Sequence, residues 1–248
     1  MQRLGIIDWG IGGIGVLKAV KATDADLPVT YFSDTGATPY GKMEPDELAT
    51  RLDKVISFLK ERGVTHIAIG CNAASTAIPH LAEHRIPIEG IIEPAIVATS
   101  KLKPKKLGLI GGRRTVMSGV YRRGFAERGI GVEQRIAQPL SAMIESGDIS
   151  SDELHAECRR ILGPIRNSSH ILLACTHYPA IEHVLRTVVS PDTKFVDPSA
   201  ALANRVHKWK LKGNGFDVFH TTGDADAMRS AARTAFRVII PFVSRAVL

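Results

Sequence analysis

The chain states one pattern twice. His66-Ile67-Ala68-Ile69-Gly70-Cys71-Asn72 returns as His170-Ile171-Leu172-Leu173-Ala174-Cys175-Thr176, displaced by 104 residues. In both copies a short apolar run rich in branched residues ends in a cysteine and then a small polar residue. That reads as a buried strand with a thiol at its C-terminal tip. Leu4-Gly5-Ile6-Ile7 recurs as Leu107-Gly108-Leu109-Ile110, and Ile91-Ile92-Glu93-Pro94 as Phe195-Val196-Asp197-Pro198, at offsets of 103 and 104. Three segments in one order at nearly one offset describe an internal duplication, with a period far too long for a solenoid repeat. Duplicate halves favour two cores of about 100 residues each over one large core.

Within each half, strands alternate with helical stretches. Leu4–Asp8 reads as a strand, residues 16–23 as a helix and Val29–Ser33 as a second strand. Residues 45–62 follow as a helix with apolar positions at Leu48, Leu52, Val55, Ile56 and Leu59. A short helix over 73–83, interrupted at Pro79, comes after the first thiol strand, and Ile91-Ile92-Glu93-Pro94 reads as a strand ending in an acid. The second half repeats the order, with helices expected over 116–128, 152–161 and 199–210 and an ordered loop or short helix over 139–147. This pattern predicts an α/β fold: two similar, open, mostly parallel sheets of flavodoxin or Rossmann type, one per domain. Residues 1–95 with 207–248 are assigned to the domain carrying Cys71, and residues 96–206 to the one carrying Cys175.

Ligands of such sheets collect at the C-terminal strand edges. Asp8, Cys71 and Glu93 belong to one edge, and Cys175 and Asp197 to the other. If the halves face each other about a pseudo-two-fold axis, the active site lies in the cleft and two thiols approach one ligand from opposite sides. A thiol pair in that position can take a proton from one face of a carbon acid and return one to the other. Each cysteine precedes an expected helix start, whose free N–H groups favour a thiolate.

Composition narrows the classes. No apolar run approaches the roughly 18 residues of a membrane span, and Met1-Gln2-Arg3 leads into a strand without a secretory apolar stretch, so a cytoplasmic location is expected. Three cysteines, an odd number, point to reduced thiols, with Cys158 an ordinary residue of a helix face. The net charge of +7 comes from scattered basic residues without aromatic interleaving, which reads as a solvated surface and not as a nucleic-acid site. The basic, apolar stretch near 235–243 reads as packing on the first half and not as a membrane surface.

Three rival chemistries draw on the same residues. Gly10-Ile11-Gly12-Gly13-Ile14-Gly15 after a strand, with Asp34 at the end of the next, satisfies a dinucleotide-binding pattern. Asp8 opposes a pyrophosphate there, and the cysteine strands are left without a task. A zinc site from Cys71, Cys175, His177 and Asp8 lacks a C-x-x-C spacing, and no lysine beside the motifs offers a Schiff base for pyridoxal phosphate. Asp8 itself is open to two readings, a functional acid or a helix cap. Tyr40 either offers a hydroxyl or packs on its own loop.

Taken together, Ile6-Ile7-Asp8-Trp9-Gly10-Ile11-Gly12-Gly13, Tyr31-Phe32-Ser33-Asp34-Thr35 with Pro39-Tyr40-Gly41, Cys71-Asn72-Ala73-Ala74-Ser75, Ile92-Glu93-Pro94 and Cys175-Thr176-His177-Tyr178-Pro179 resemble the cofactor-independent aspartate/glutamate racemases. The resemblance spans roughly residues 4–206 and implies an isomerase acting on a small amino acid, glutamate foremost, without cofactor or metal, in the supply of D-glutamate for peptidoglycan. It implies Cys71 and Cys175 as the acid/base pair, serving the D- and L-enantiomer respectively. Asp8 and His177 match assisting residues, and Glu145 a carboxylate that supports the histidine. Pro39, Tyr40, Gly41, Asn72, Thr115 and Thr176 match positions at the amino acid's two ends. Trp9 and Ala73 stand where the family usually has Ser and Thr, so two hydroxyls that contact substrate are missing. That opens aspartate, another amino acid or an unsaturated diacid as substrate. A binding protein on the same scaffold, using its positive charge, is the non-enzymatic alternative, and the resemblance leaves room for a homodimer.

Overall fold

The computed structural model describes residues 1–248. Its ten strands are β1 (Leu4–Asp8), β2 (Val29–Ser33), β3 (His66–Ile69), β4 (Ile88–Gly90), β5 (Leu107–Gly111), β6 (Val132–Ile136), β7 (His170–Ala174), β8 (Lys194–Val196), β9 (Val218–Thr221) and β10 (Ser244–Arg245). They form two parallel sheets, ordered β10-β9-β2-β1-β3-β4 and β6-β5-β7-β8. Without β9 and β10 the first sheet runs second, first, third, fourth, which is the order of the other. Register repeats too: Leu4 lies opposite His66 as Leu107 lies opposite His170. The duplication is therefore one of architecture. β1 and β5 are buried along their whole length, so they read as unbroken apolar runs.

The helices are α1 (Ile14–Thr23), α2 (Pro45–Glu61), α3 (Asn72–Ser75), α4 (Ile92–Lys101), α5 (Arg113–Met117), α6 (Val120–Ala126), α7 (Gln138–Glu145), α8 (Asp152–Leu162), α9 (Glu182–Arg186), α10 (Ser199–His207) and α11 (Ala225–Phe236). α2 shows the local logic. Pro45 starts it, Asp46 and Glu47 occupy its first turn and Lys60 its last, and Leu48, Leu52, Val55, Ile56 and Leu59 are buried. α8 starts on Ser151, whose hydroxyl accepts from the Leu154 N–H at 3.1 Å, and buries Cys158 as a packing residue. No helix is long and apolar enough to cross a membrane.

Several expectations are corrected. Ile92-Glu93-Pro94 is not a strand end but the first turn of α4, where the missing N–H of proline costs nothing and an acid suits the helix dipole. Glu93 consequently points away from the cleft to Arg128, at 2.8 Å. The helix expected over 116–128 is divided into α5 and α6 by Gly119, at a φ of 68°. α3 lasts a single turn, a separate 3-10 turn follows at Ile78–His80, and α10 stops at His207. Asp197 accepts the Ser199 N–H at 2.8 Å and serves the start of α10.

Two separate cores also prove too simple. One apolar cluster lies between α2 and β1, β2 and β3 in the first half and one around α7, α8 and β7 in the second. The largest, of 32 residues, joins them, packing α1, α4, α6, α10 and α11 together with side chains of both sheets. Phe236 and Met228 of α11 belong to this shared core, and α11 packs against α1 of the first half and α7 of the second. Phe125, fully buried within it, is the test of its role. Phe125→Ala should cost about 3–5 kcal/mol in urea denaturation, and the wild type should unfold in one transition because the halves share a core. Two resolved transitions would contradict this packing.

Candidate active site

The loops after β1, β2 and β3 of one sheet and after β5, β6 and β7 of the other converge on one cavity of about 310 Å³. Its lining takes in Asp8, Trp9, Pro39, Tyr40, Gly41, Cys71, Asn72, Ala73, Thr115, Cys175, Thr176 and His177. Of the residues expected at the site, Glu145 alone stands behind the wall. Glu93 and Asp197 are not part of it. Both thiols lie at the C-terminal ends of equivalent strands, on opposite sides of the cleft.

On the Cys175 side, three groups form a chain. The Cys175 sulfur lies 3.7 Å from His177 Nδ1, and His177 Nε2 lies 2.6 Å from Glu145 Oε2. The same Glu145 oxygen accepts the backbone N–H of Ile11 at 3.0 Å, so a carboxylate from the second half is held by the glycine loop of the first. Burial works against a charged imidazole at His177. The hydrogen bonds to Cys175 and Glu145 outweigh it and lift the His177 pKa well above its ordinary value.

The glycine loop is thereby explained without a dinucleotide. A Cβ at Gly10 would fall inside the Glu145 carboxylate, and one at Gly12 would collide with Thr176 and His177. Glycines are required here because side chains of the opposite half press against the backbone. Asp34 is equally engaged. Its oxygens accept from Tyr40 Oη at 2.7 Å, from Arg51 at 2.8 and 2.6 Å and from Thr222 Oγ1 at 2.7 Å, leaving nothing for a ribose. Tyr40 thus turns its hydroxyl away from the cavity and into the scaffold of its own loop.

The Cys71 side is different in character. Asp8 caps no helix; it accepts the Trp9 N–H at 2.7 Å and the Thr176 hydroxyl at 2.8 Å. Burial raises the Asp8 pKa despite the nearby imidazole. For Cys71, burial and then the charge of Asp8 push the thiol well up, and the N–H groups of Ala74 and Ala73 do not compensate. The expected helix-start preference for a thiolate at Cys71 is therefore overruled by desolvation.

Asn72 is 2% exposed; its Oδ1 accepts the Tyr121 hydroxyl at 2.6 Å, and its Nδ2 is buried without a partner. Trp9 donates its indole N–H to Ala37 O at 3.2 Å, which ties it to the loop after β2 and leaves no donor for a ligand. Of the four side chains considered for zinc, Asp8, Cys175 and His177 are engaged by these contacts, and no three His, Cys, Asp or Glu groups converge as a ligand set.

The sequence missed Gln138, Ser141 and Ala142 of α7, which line the cavity opposite Gly41. With Glu145 they recur at three- and four-residue spacing, and that helical stripe was the available signal. Lys42 and Gly112 also line the cavity, without a comparable pattern.

Twin parallel sheets that each present a thiol to one cleft define an α/β protein whose site is assembled from both halves. Residues 15–206 match the Asp/Glu/Hydantoin racemase family. The chain is 30% identical over 251 residues to a glutamate racemase of Desulforudis audaxviator (strain MP104C), covering 92% of each. Over 218 residues it is 32% identical to a glutamate racemase of Aquifex pyrophilus, covering 86% of this chain and 85% of the relative. The structure of glutamate racemase from Aquifex pyrophilus superposes with a TM-score of 0.83 at 29% identity, covering 98% of both chains. That of glutamate racemase from Francisella tularensis subsp. tularensis SCHU S4 in complex with D-glutamate gives 0.89 at 23% identity, over 99% of this chain and 97% of that one, and speaks for the fold alone. The chain belongs to the Asp/Glu/Hydantoin racemase family, and it is an isomerase.

The elevated histidine has a stability consequence. A base whose folded-state pKa is raised stabilises the fold fully below its unfolded value, near 6.5, and loses that contribution as pH rises through the folded value. Glu145→Gln should lower the His177 titration midpoint seen by NMR and cost about 1–3 kcal/mol at pH 6, a difference that shrinks as pH is raised. A His177 midpoint unmoved by the substitution would refute the role given to Glu145.

Proposed function

We propose that this chain interconverts L- and D-glutamate by two-thiol proton transfer, supplying D-glutamate for peptidoglycan. The observation that carries the reading is the presence of Cys71 and Cys175, one from each sheet, in the wall of the same cavity. In this reading residues 1–95 with 207–248 form the domain carrying Cys71 and residues 96–206 the domain carrying Cys175.

In one direction Cys175, as thiolate, takes the α-proton and becomes a thiol, with the His177 imidazolium beside its sulfur balancing the negative charge. Glu145 holds that imidazolium. Cys71, kept as a thiol by burial and Asp8, gives its proton to the opposite face of the carbanion and becomes the thiolate. The reverse direction exchanges the two roles, so the pair carries one proton between turnovers. The free Asn72 Nδ2, with Thr115 and Thr176, faces the amino acid's carboxylate. Pro39, Tyr40 and Gly41, with Lys42, receive its other end.

In deuterated buffer, either enantiomer should exchange its α-hydrogen and drift to an equal mixture, with a bell-shaped pH dependence. Cys71→Ala and Cys175→Ala should each lower racemisation by roughly 10²–10⁴-fold or more. An undiminished rate in either variant would reject the two-thiol assignment.

A second reading keeps the chemistry and changes the substrate, and it is favoured by Trp9. The indole fills part of the cavity wall and spends its N–H on Ala37, while Ala73 offers no hydroxyl. Each missing hydrogen bond to a buried carboxylate is worth about 1–3 kcal/mol. Trp9→Ser combined with Ala73→Thr should therefore raise kcat/KM for glutamate by about 10-fold or more. No gain, together with faster exchange of another amino acid by the wild type, would transfer the assignment to that substrate.

A further inference from the structure

Among the buried side-chain polar atoms without a partner, Asn72 Nδ2 is the one that belongs to the cavity lining. An amide has two ends of opposite character, and a half-turn of the side chain would present an acceptor instead of a donor to the ligand. Something must select the end. The Tyr121 hydroxyl, 2.6 Å from Asn72 Oδ1, is fully buried and has no other acceptor. With Oδ1 toward the phenol, its proton is bonded and Nδ2 is turned to the cavity. With the amide reversed, the phenol proton is buried without an acceptor, and a carbonyl oxygen opposes an incoming carboxylate. Burial also pushes the Tyr121 pKa far upward, so the phenol remains a donor at any working pH.

We propose that Tyr121 is a positioning residue that selects the donor end of the Asn72 amide and, through it, the group that receives the substrate's carboxylate. This rests on the racemase reading above. Tyr121 belongs to α6 in the second half and Asn72 to α3 in the first, so the bond spans the cleft, and the donor is correctly presented only when the halves are together. The phenol is held from behind by its stacked neighbour Phe125, with ring centroids 6.1 Å apart. Tyr121→Phe therefore removes the hydroxyl while keeping the packing.

The test is a double-mutant cycle of Tyr121→Phe and Asn72→Ala, read as KM and kcat for each glutamate enantiomer, with the hydroxyl proton of Tyr121 followed by NMR. Tyr121→Phe should raise KM about 3- to 10-fold and change kcat less than about 2-fold. In the Asn72→Ala background the same change should add less than about 2-fold, because the two residues act as one unit. An equal effect of Tyr121→Phe in both backgrounds would overturn the proposal. Independently of turnover, the wild-type hydroxyl proton should appear as a slowly exchanging, downfield resonance that moves upfield in Asn72→Ala. A resonance already upfield in the wild type means that the phenol accepts from the amide, and it too overturns the proposal. A wild type inactive on every amino acid would sink the racemase reading alone, and the hydroxyl resonance would still decide the orientation of Asn72.

Discussion

The contact between Glu145 and the glycine loop is the constraint on which the site depends. One carboxylate oxygen accepts the Ile11 N–H from the first half and lies 2.6 Å from His177 of its own half. A loop of free N–H groups is a natural anion receptor, and here the anion is supplied by the protein itself. The loop lacks side chains at Gly10 and Gly12, so the opposite half can approach its backbone. That approach sets the distance across the cleft, brings Thr176 to Asp8 and buries His177. A bulkier loop would hold the halves apart and expose the pair of thiols to water.

The two sides of the cleft are chemically unlike although they arise from a duplication. Cys175 has a histidine with a carboxylate behind it, whereas Cys71 has a buried carboxyl group whose pKa is itself raised. One thiol thus faces a positive neighbour and the other a low-dielectric wall with an acid. For the two-thiol reaction proposed above, which needs one base and one acid at a time, such asymmetry makes the two faces of the cleft inequivalent. The duplication supplies the geometry, and divergence between the copies supplies the difference in charge.

The same division applies to the supporting network. Asp34, with Arg51, Tyr40 and Thr222, holds the loop after β2 as one hydrogen-bonded block, and Trp9 fastens to that loop through Ala37. Buried polar groups of this kind are costly unless fully partnered, and here Asp34 is. The residues of this block that border the cavity therefore do so through backbone and ring surfaces more than through free polar ends. Asn72, which lies outside this block, differs in that its buried Nδ2 has no partner.

Much of this was legible in the order of residues. The repeated apolar runs imply two parallel sheets because only strands buried on both faces read so continuously, and the repeated cysteines imply two thiols at equivalent strand tips. The family motifs named most of the residues that line the cavity, though not those of α7. What the chain alone did not decide were properties that depend on distant neighbours. Asp34 and Gly10 fit a nucleotide site equally well until Arg51 and Glu145, 17 and 135 residues away in sequence, are seen to occupy them. Glu93 reads as an edge acid until it is found with Pro94 in the first turn of α4. The protonation of Cys71 follows from burial, and the direction of the Asn72 amide from a phenol in the other half. Local pattern determines which segments become strands and which tips carry chemistry, because periodicity and backbone preference are local. Charge state, amide orientation and the width of the cleft are set by desolvation and long-range contact, and these exist only once the halves have met.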